Sequence, residues 1–376
     1  MILPLVVASI AVLVTLAYAA VLDVRERSVP VHTWYPLYFI GFVAVLWYLM
    51  TAPSGWGTVA GYAALIVTII YGIELEAQDG KIPRQVLSLA FAATILQGLA
   101  WGFLWRILGP IAIAGFLLLV GALWAGLELE RRASVNEGRL SPFQLRFRAW
   151  HIILIIAFQG AAWAGLFFAG KGSPGDLLLV LVALYSGFFL VFAGMNLFGG
   201  ADAIALVAIA LFVPVFPIEP LSGYPPLQFL PFSALTNAVI LNLVTPVGFA
   251  IWNALKGNRA PFPYTFFGFP VRGDSIENTF GFVMEDFREE GSELKRWFIP
   301  IGSALKRMVE GKGRIYTKHL KEHPERYGKE LALYRRAGMV WISYGVPFIL
   351  PILAGFATAL VGGDILFTVM KAASGW

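Results

Sequence analysis

Long apolar runs recur along the whole chain and constrain its fold more than any other feature of the sequence. The runs at 10–22, 177–190 and 239–255 contain no charged residue. Runs of this kind are typical of helices that cross the ~30 Å hydrocarbon core of a bilayer. The chain is 58% hydrophobic and only 14% charged, whereas soluble domains carry about a quarter charged residues. The sequence therefore indicates an integral membrane protein in contact with the lipid bilayer.

The pattern predicts an all-α fold, a polytopic bundle of about ten transmembrane helices with a small cytoplasmic polar region. The predicted spans lie near 3–22, 34–51, 56–76, 88–104, 108–127, 149–169, 177–196, 202–218, 234–255 and 338–362. We divide the chain into a transmembrane region at 1–255, with extra spans at about 52–170, a polar region at 256–337, and a final transmembrane helix and tail at 338–376.

Basic residues give the orientation of these helices, because short cytoplasmic loops are enriched in Lys and Arg. With the N-terminus outside, the short inner loops hold nine basic residues and the outer ones three. The net charge of +5 is thereby assigned to cytoplasmic loops rather than to a nucleic-acid surface. We predict a multi-pass protein of the cell membrane whose N-terminus is outside.

Within the polar region, Glu293–Glu310 places Trp297, Ile301, Leu305 and Met308 at helical spacing. This pattern predicts an amphipathic helix, lying either on the inner leaflet or packed on its cytosolic neighbours.

Two aspartates stand at the ends of apolar runs, where a carboxylate is costly and by default a functional candidate. Asp23 closes the first predicted span, and Asp202 opens a later one directly after Gly199, Gly200 and Ala201. In the predicted topology both lie at the cytoplasmic ends of their helices. A structural role also fits each residue: Asp23 as a polar boundary and Asp202 as a helix cap.

Two carboxylates that meet in a partly desolvated pocket share one proton. The ionised one can deprotonate water while the protonated one donates to the scissile carbonyl oxygen, as in aspartic proteases. Gly199 and Gly200 lack a Cβ, so backbone and substrate can approach closely there. The sequence does not fix which aspartate is first the base.

These motifs resemble a known family. Gly199-Gly200-Ala201-Asp202 resembles the signature of type IV prepilin peptidases in its archaeal form. The segment after Asp23 resembles that family's first aspartate segment through Arg25, Arg27 and Pro30. The segments 231–237 and 341–348 also look like archaeal preflagellin peptidases. The similarity covers roughly residues 1–50 and 177–365.

The resemblance implies a membrane aspartyl endopeptidase that cleaves the basic leader of preflagellin or type IV pilin-like precursors at the cytoplasmic membrane face. It implies Asp23 and Asp202 as the catalytic pair, with no metal and no cofactor. Three departures stand out. Val31 and His32 follow Pro30 where the family usually has Asn, Ile204 stands where it usually has Lys, and about six spans separate the aspartates instead of two.

Several alternatives stay open. Asp79, in a segment that also leads to a proline, is a second candidate for the first catalytic carboxylate. A transporter or channel would use Asp23, Asp79 and Asp202 as an ion path, and Ile204 also fits a catalytically inactive homologue. Gly362-Gly363-Asp364 resembles a second Gly-Gly-Asp motif, but it falls on the predicted outer face and is interpreted as a helix terminator. The oligomeric state is left open.

Overall fold

The computed structural model describes residues 2–52, 55–77, 149–168, 172–195, 198–290, 293–300, 302–303, 315–343 and 348–374, with isolated positions between 96 and 132. They divide into two compact units. The first comprises Met1–Gly194, Phe198–Ala238 and Ile352–Trp376, and the second comprises Met195–Leu197 and Val239–Pro351.

Helices build the first unit. They are α1 (Leu3–Glu26), a 3-10 turn (Val31–Trp34), α2 (Tyr35–Thr51), α3 (Trp56–Ala77), α4 (Ala149–Phe168), α5 (Pro174–Gly194) and α6 (Gly200–Phe212). Helix α7 (Leu230–Asn242) begins in the first unit, and α8 (Val244–Lys256) lies in the second. The helices α12 (Ile349–Val361) and α13 (Ile365–Ser374) complete the first unit.

Five of the described helical stretches are long and apolar enough to cross a membrane: Leu3–Glu26, Val31–Thr51, Trp56–Glu74, Pro174–Gly194 and Leu230–Lys256. The helices α12 and α13 are bent by 52° and make a sixth if counted as one span. The structure is thus compatible with a multi-pass membrane protein, but the ten predicted spans are not confirmed. The predicted spans 88–104 and 108–127 fall outside the described residues except at isolated positions.

Helix α6 is shorter than the predicted span 202–218. It has 13 residues, about 20 Å at 1.5 Å per residue, because the chain leaves the helix at Val213 just before Pro214. Every residue from Ala205 to Phe212 is buried, and α1, α2 and α5 all contact α6. A helix that is apolar on all sides is covered by protein on all sides, so α6 is the central helix of this unit.

A tight turn connects α1 to α2. Arg27 ends α1 in the left-handed region (φ 53°), and its backbone N–H donates to the carbonyl oxygen of Asp23 at 3.1 Å. Pro30 follows in an extended conformation and begins the 3-10 turn. A proline cannot continue a helix, which accounts for the chain reversal here.

The predicted all-α fold is confirmed in part: the described residues are mostly helical, but the second unit also contains β-strands. Strands β1 (Gly268–Arg272), β5 (Met339–Ser343) and β2 (Phe282–Val283) form an antiparallel sheet with β5 in the centre. Strands β3 (Glu285–Glu290) and β4 (Glu293–Phe298) form a separate hairpin. The second unit also contains the helices α9 (Tyr264–Phe267), α10 (Thr317–Glu322) and α11 (Gly328–Ala337).

Two sequence predictions fail in this unit. The amphipathic helix over Glu293–Glu310 is wrong in its first part, since Glu293–Phe298 is strand β4, paired with β3. The span 338–362 is wrong at its start, since Met339–Ser343 is β5. The short apolar run of β5 does not distinguish a strand from a buried helix by periodicity. Strand β4 is largely charged and exposed, and its conformation follows from its pairing with β3.

The core of the second unit explains the burial of β5. Val340 and Ile342 pack in a buried cluster with Ile276, Val283, Leu320, Leu331 and Tyr334. Val340 and Ile342 of β5 are therefore buried against protein.

Candidate active site

Asp23 lies in the last turn of α1 and is half-buried. Arg27 is close enough to interact electrostatically with it. Arg25 lies in the same last turn and is exposed. The left-handed backbone of Arg27 usually suits glycine, so an arginine there places a charged side chain beside Asp23 at some cost in backbone energy.

Asp202 is the third residue of α6 and is also half-buried. Gly199 precedes the helix as its N-cap residue and provides no side-chain cap. The carboxylate of Asp202 turns back over Gly199 so closely that a Cβ on residue 199 would collide with its Oδ2 atom. A Cβ on Gly200 would meet nothing within 4 Å. A side chain on residue 199 would therefore force the Asp202 carboxylate to move, whereas one on residue 200 would not.

Hydrogen bonds bring three helix termini to one end of the first unit. Thr58, at the start of α3, donates to the carboxylate of Asp176, at the start of α5, at 2.8 Å. Tyr62 of α3 donates to the carbonyl oxygens of Ala210 (3.3 Å) and Leu211 (3.1 Å). The C-terminal end of α6 thus lies at the same end as the starts of α3 and α5.

The C-terminal end of α2 is there too. A cavity of about 320 Å³ is lined by the end of α2 (Tyr48, Leu49, Ala52), by the start of α5 and by the residues that follow α6. The start of α2 is at the opposite end, where the hydroxyl of Tyr35 donates to Glu74 near the end of α3 at 3.1 Å.

This geometry places both candidate aspartates at that opposite end. Helices α1 and α2 pack together and are joined by a short connection, so they run antiparallel and Asp23 lies level with the start of α2. From its C-terminal end, α6 runs about 20 Å back to Asp202. Because α1 and α6 contact each other, the two carboxylates stand on neighbouring antiparallel helices.

The other predicted site residues fall in several places. Gly200 and Ala201 form the first turn of α6 with Asp202, and Pro30 lies in the α1–α2 connection. Asp79 lies outside the described residues. Within the described ranges, no three His, Cys, Asp or Glu side chains come together in a way that could hold a metal ion.

Gly362-Gly363-Asp364 ends one helix and begins the next, and the prediction of a helix terminator is confirmed. Gly363 has a φ of +96°, and its N–H donates to the carbonyl oxygen of Thr358 at 3.0 Å. Asp364 then caps α13 by accepting the N–H of Phe367 at 2.9 Å.

Two buried carboxylates of the first unit were not predicted from the sequence. Asp176 exposes 6% of its surface, and its carboxylate accepts hydrogen bonds from Thr58 and Ser173, so it ties α3 to α5. Glu74 exposes 8% of its surface and accepts a hydrogen bond from Tyr35. The rule that led to Asp23 applies equally to Glu74, which lies near the end of the predicted span 56–76.

Comparison with known families decides the coarse class. Residues 260–365 match the family model described as Archaeal Peptidase A24 C-terminus Type II. Over these residues the chain is similar to the C-terminal region of archaeal A24 peptidases. The match confirms the resemblance to the archaeal preflagellin peptidase family and supports a peptidase that acts on a precursor protein. No curated protein and no solved structure matches the chain.

The A24 match covers most of the second unit and reaches α12 and the start of α13. It includes β1 to β5 as well as Gly362-Gly363-Asp364, and it begins after both candidate aspartates. The A24 assignment and the aspartate pair are thus two separate observations about different parts of the chain.

Proposed function

We propose that this A24-type protein is a membrane aspartyl endopeptidase that removes the basic leader of preflagellin or type IV pilin-like precursors. Asp23 and Asp202 are the catalytic pair, and the cut is made at the cytoplasmic membrane face. One observation carries the proposal: two half-buried carboxylates stand at the same end of neighbouring antiparallel helices. The A24 match at 260–365 supports it independently.

The proposed chemistry needs one proton shared by two carboxylates. The ionised aspartate takes a proton from water, the resulting hydroxide attacks the scissile carbonyl carbon, and the protonated aspartate donates to the carbonyl oxygen. Collapse of the tetrahedral intermediate breaks the C–N bond, and the proton taken from water passes to the leaving amine. Either aspartate can begin as the general base in this scheme.

The cytoplasmic placement has its own support. Arg25 lies in the last turn of α1 and Arg27 is its C-cap residue, and basic residues at the end of a membrane helix favour the cytoplasmic side. The same end of the first unit holds Asp202, so both carboxylates face the compartment in which precursor leaders are made.

The test is cleavage of a preflagellin by the purified full-length protein in nanodiscs, followed by mass spectrometry. We expect Asp23→Asn and Asp202→Asn each to lower the rate by at least about a thousandfold, because each removes a group that the chemistry needs. Asp176→Asn is the matched control: it makes the same change in a buried carboxylate at the other end of the unit.

Full processing by either single mutant would exclude the catalytic pair. If the wild type cleaves nothing but conducts ions, and the same two mutations alter that flux, the protein is a transporter. If neither activity is found, it is a catalytically inactive homologue.

A further inference from the structure

Glu74 is a buried carboxylate, and only one of its two oxygen atoms has a hydrogen-bond partner among the described residues. It exposes 8% of its surface. Its Oε2 atom accepts the hydroxyl of Tyr35 at 3.1 Å, while its Oε1 atom has no hydrogen-bond partner among the described residues. Buried polar atoms in folded proteins are nearly always paired, and an unpaired carboxylate oxygen is especially costly. This atom is therefore where a donor from outside the described residues would bind.

Two tyrosine side chains lie near this carboxylate and make it suited to a cation. The phenol of Tyr38 interacts electrostatically with Glu74, and its hydroxyl has no partner among the described residues. The rings of Tyr35 and Tyr38 lie 6.3 Å apart. Aromatic faces attract ammonium and guanidinium groups, and a carboxylate forms its strongest hydrogen bonds with the same groups.

Tyr35 provides a route to the buried oxygen atoms. It is 48% exposed, yet its hydroxyl reaches Glu74. The hydroxyl of Tyr35 is thus the group that a long basic side chain would displace, replacing a neutral hydrogen bond with a charge-assisted one.

The position of Glu74 fits a substrate contact. Tyr35 is the first residue of α2, and the start of α2 is at the same end of the first unit as Asp23 and Asp202. A chain held at Glu74 by a basic residue thus lies on the side of the unit where the proposed cleavage takes place. Asp176, which is equally buried, is at the other end and is hydrogen-bonded by Thr58 and Ser173.

We infer that Glu74, with Tyr35 and Tyr38, is a binding site for a Lys or Arg side chain of the substrate's leader. The inference rests on the proposed function and adds to it the residue that recognises the leader's charge. Glu74 is a specificity residue here and takes no part in bond breaking.

The experiment compares two synthetic substrates that span the cut, one with its basic leader and one with each leader Lys and Arg replaced by Gln. We expect Glu74→Gln to raise KM for the basic substrate by about 10- to 100-fold, the range of one charge-assisted hydrogen bond, and to leave kcat within about twofold. For the neutral substrate the wild type and Glu74→Gln should have the same KM. Asp176→Asn should retain the preference of the wild type for the basic leader.

A second measurement separates this inference from the proposed function. The affinity of both fluorescently labelled leader peptides is measured with wild type and Glu74→Gln, and no cleavage is required. If the wild type cuts neither substrate, the proposed function fails. The binding site at Glu74 is then tested by the peptide affinities alone. Equal affinity of the wild type for both peptides overturns the site, even if Glu74→Gln does not fold. The site is also overturned if Glu74→Gln loses the same amount of affinity for both peptides.

Discussion

The carboxylate of Asp202 lies directly over the α-carbon of Gly199, three residues earlier in the chain, and leaves no room for a Cβ there. Gly199→Ala must therefore displace Asp202 or the helix start. We expect the cleavage rate to fall by about 10- to 100-fold, since a displacement of about 1 Å can cost a hundredfold in rate. Initial rates at saturating substrate, measured in nanodiscs, check this.

Gly200→Ala is the matched comparison, because a Cβ at residue 200 meets nothing within 4 Å. Its rate loss should be at least about five times smaller than that of Gly199→Ala. Equal losses for the two substitutions would mean that the contact with Asp202 is not what makes Gly199 necessary.

The hydrogen bond from Thr58 to Asp176 should stabilise the fold without contributing to cleavage. Thr58→Val removes a donor 2.8 Å from a buried carboxylate. We expect a loss of about 1–3 kcal/mol in the free energy of unfolding, the cost of a buried acceptor left without its partner. Thermal unfolding in detergent measures the loss. Thr51→Val removes an exposed hydroxyl that donates to Tyr48 and should change stability by less than about 0.5 kcal/mol.

Run length explains which helices could be predicted from the sequence. The predicted spans 3–22, 34–51, 56–76 and 177–196 correspond to α1, α2, α3 and α5, because an apolar run near 20 residues is too long for an ordinary strand. The five residues of β5 are too few for run length to distinguish a helix from a strand. Their strand conformation depends on pairing with β1 and β2, which are distant in sequence.

The candidate site was accessible to sequence reasoning for a similar reason. A carboxylate at the end of an apolar run is conspicuous, so Asp23 and Asp202 could be selected before the fold was known. The contact between Asp202 and Gly199 and the half-satisfied state of Glu74 depend on side-chain positions. No pattern in the sequence encodes them.

Asn237 should be a major contributor to stability in the first unit. It is fully buried, its side-chain nitrogen donates to the carbonyl oxygen of Gly363 at 2.9 Å, and its Oδ1 accepts the N–H of Ile365 at 2.8 Å. Asn237→Ala leaves both backbone groups without these partners, and we expect a loss of roughly 2–4 kcal/mol. Thr236→Ala, on the next residue, removes only an exposed hydrogen bond to Phe232. If the two variants unfold at the same temperature, Asn237 does not connect α7 to the start of α13.

Glu285 should make the stability of the second unit depend on pH. Burial raises the pKa of this carboxyl above its ordinary value of 4.5, although the N–H of Trp341, 2.8 Å away, and the charge of Arg296 both act to lower it. Because the folded-state pKa is above the unfolded one, the contribution of Glu285 to stability is fully present below about pH 4.5 and is lost as the pH rises through the folded-state pKa.

Glu285→Gln keeps an acceptor for Trp341 and removes the titration. We expect its melting temperature to exceed that of the wild type at pH 8 by on the order of 2–4 °C, with the difference shrinking toward pH 4. Glu293→Gln, an exposed position on the paired strand β4, serves as the control for the loss of one charge. A difference between Glu285→Gln and wild type that stays constant from pH 4 to pH 8 would show that burial of the charge at Glu285 costs the fold nothing.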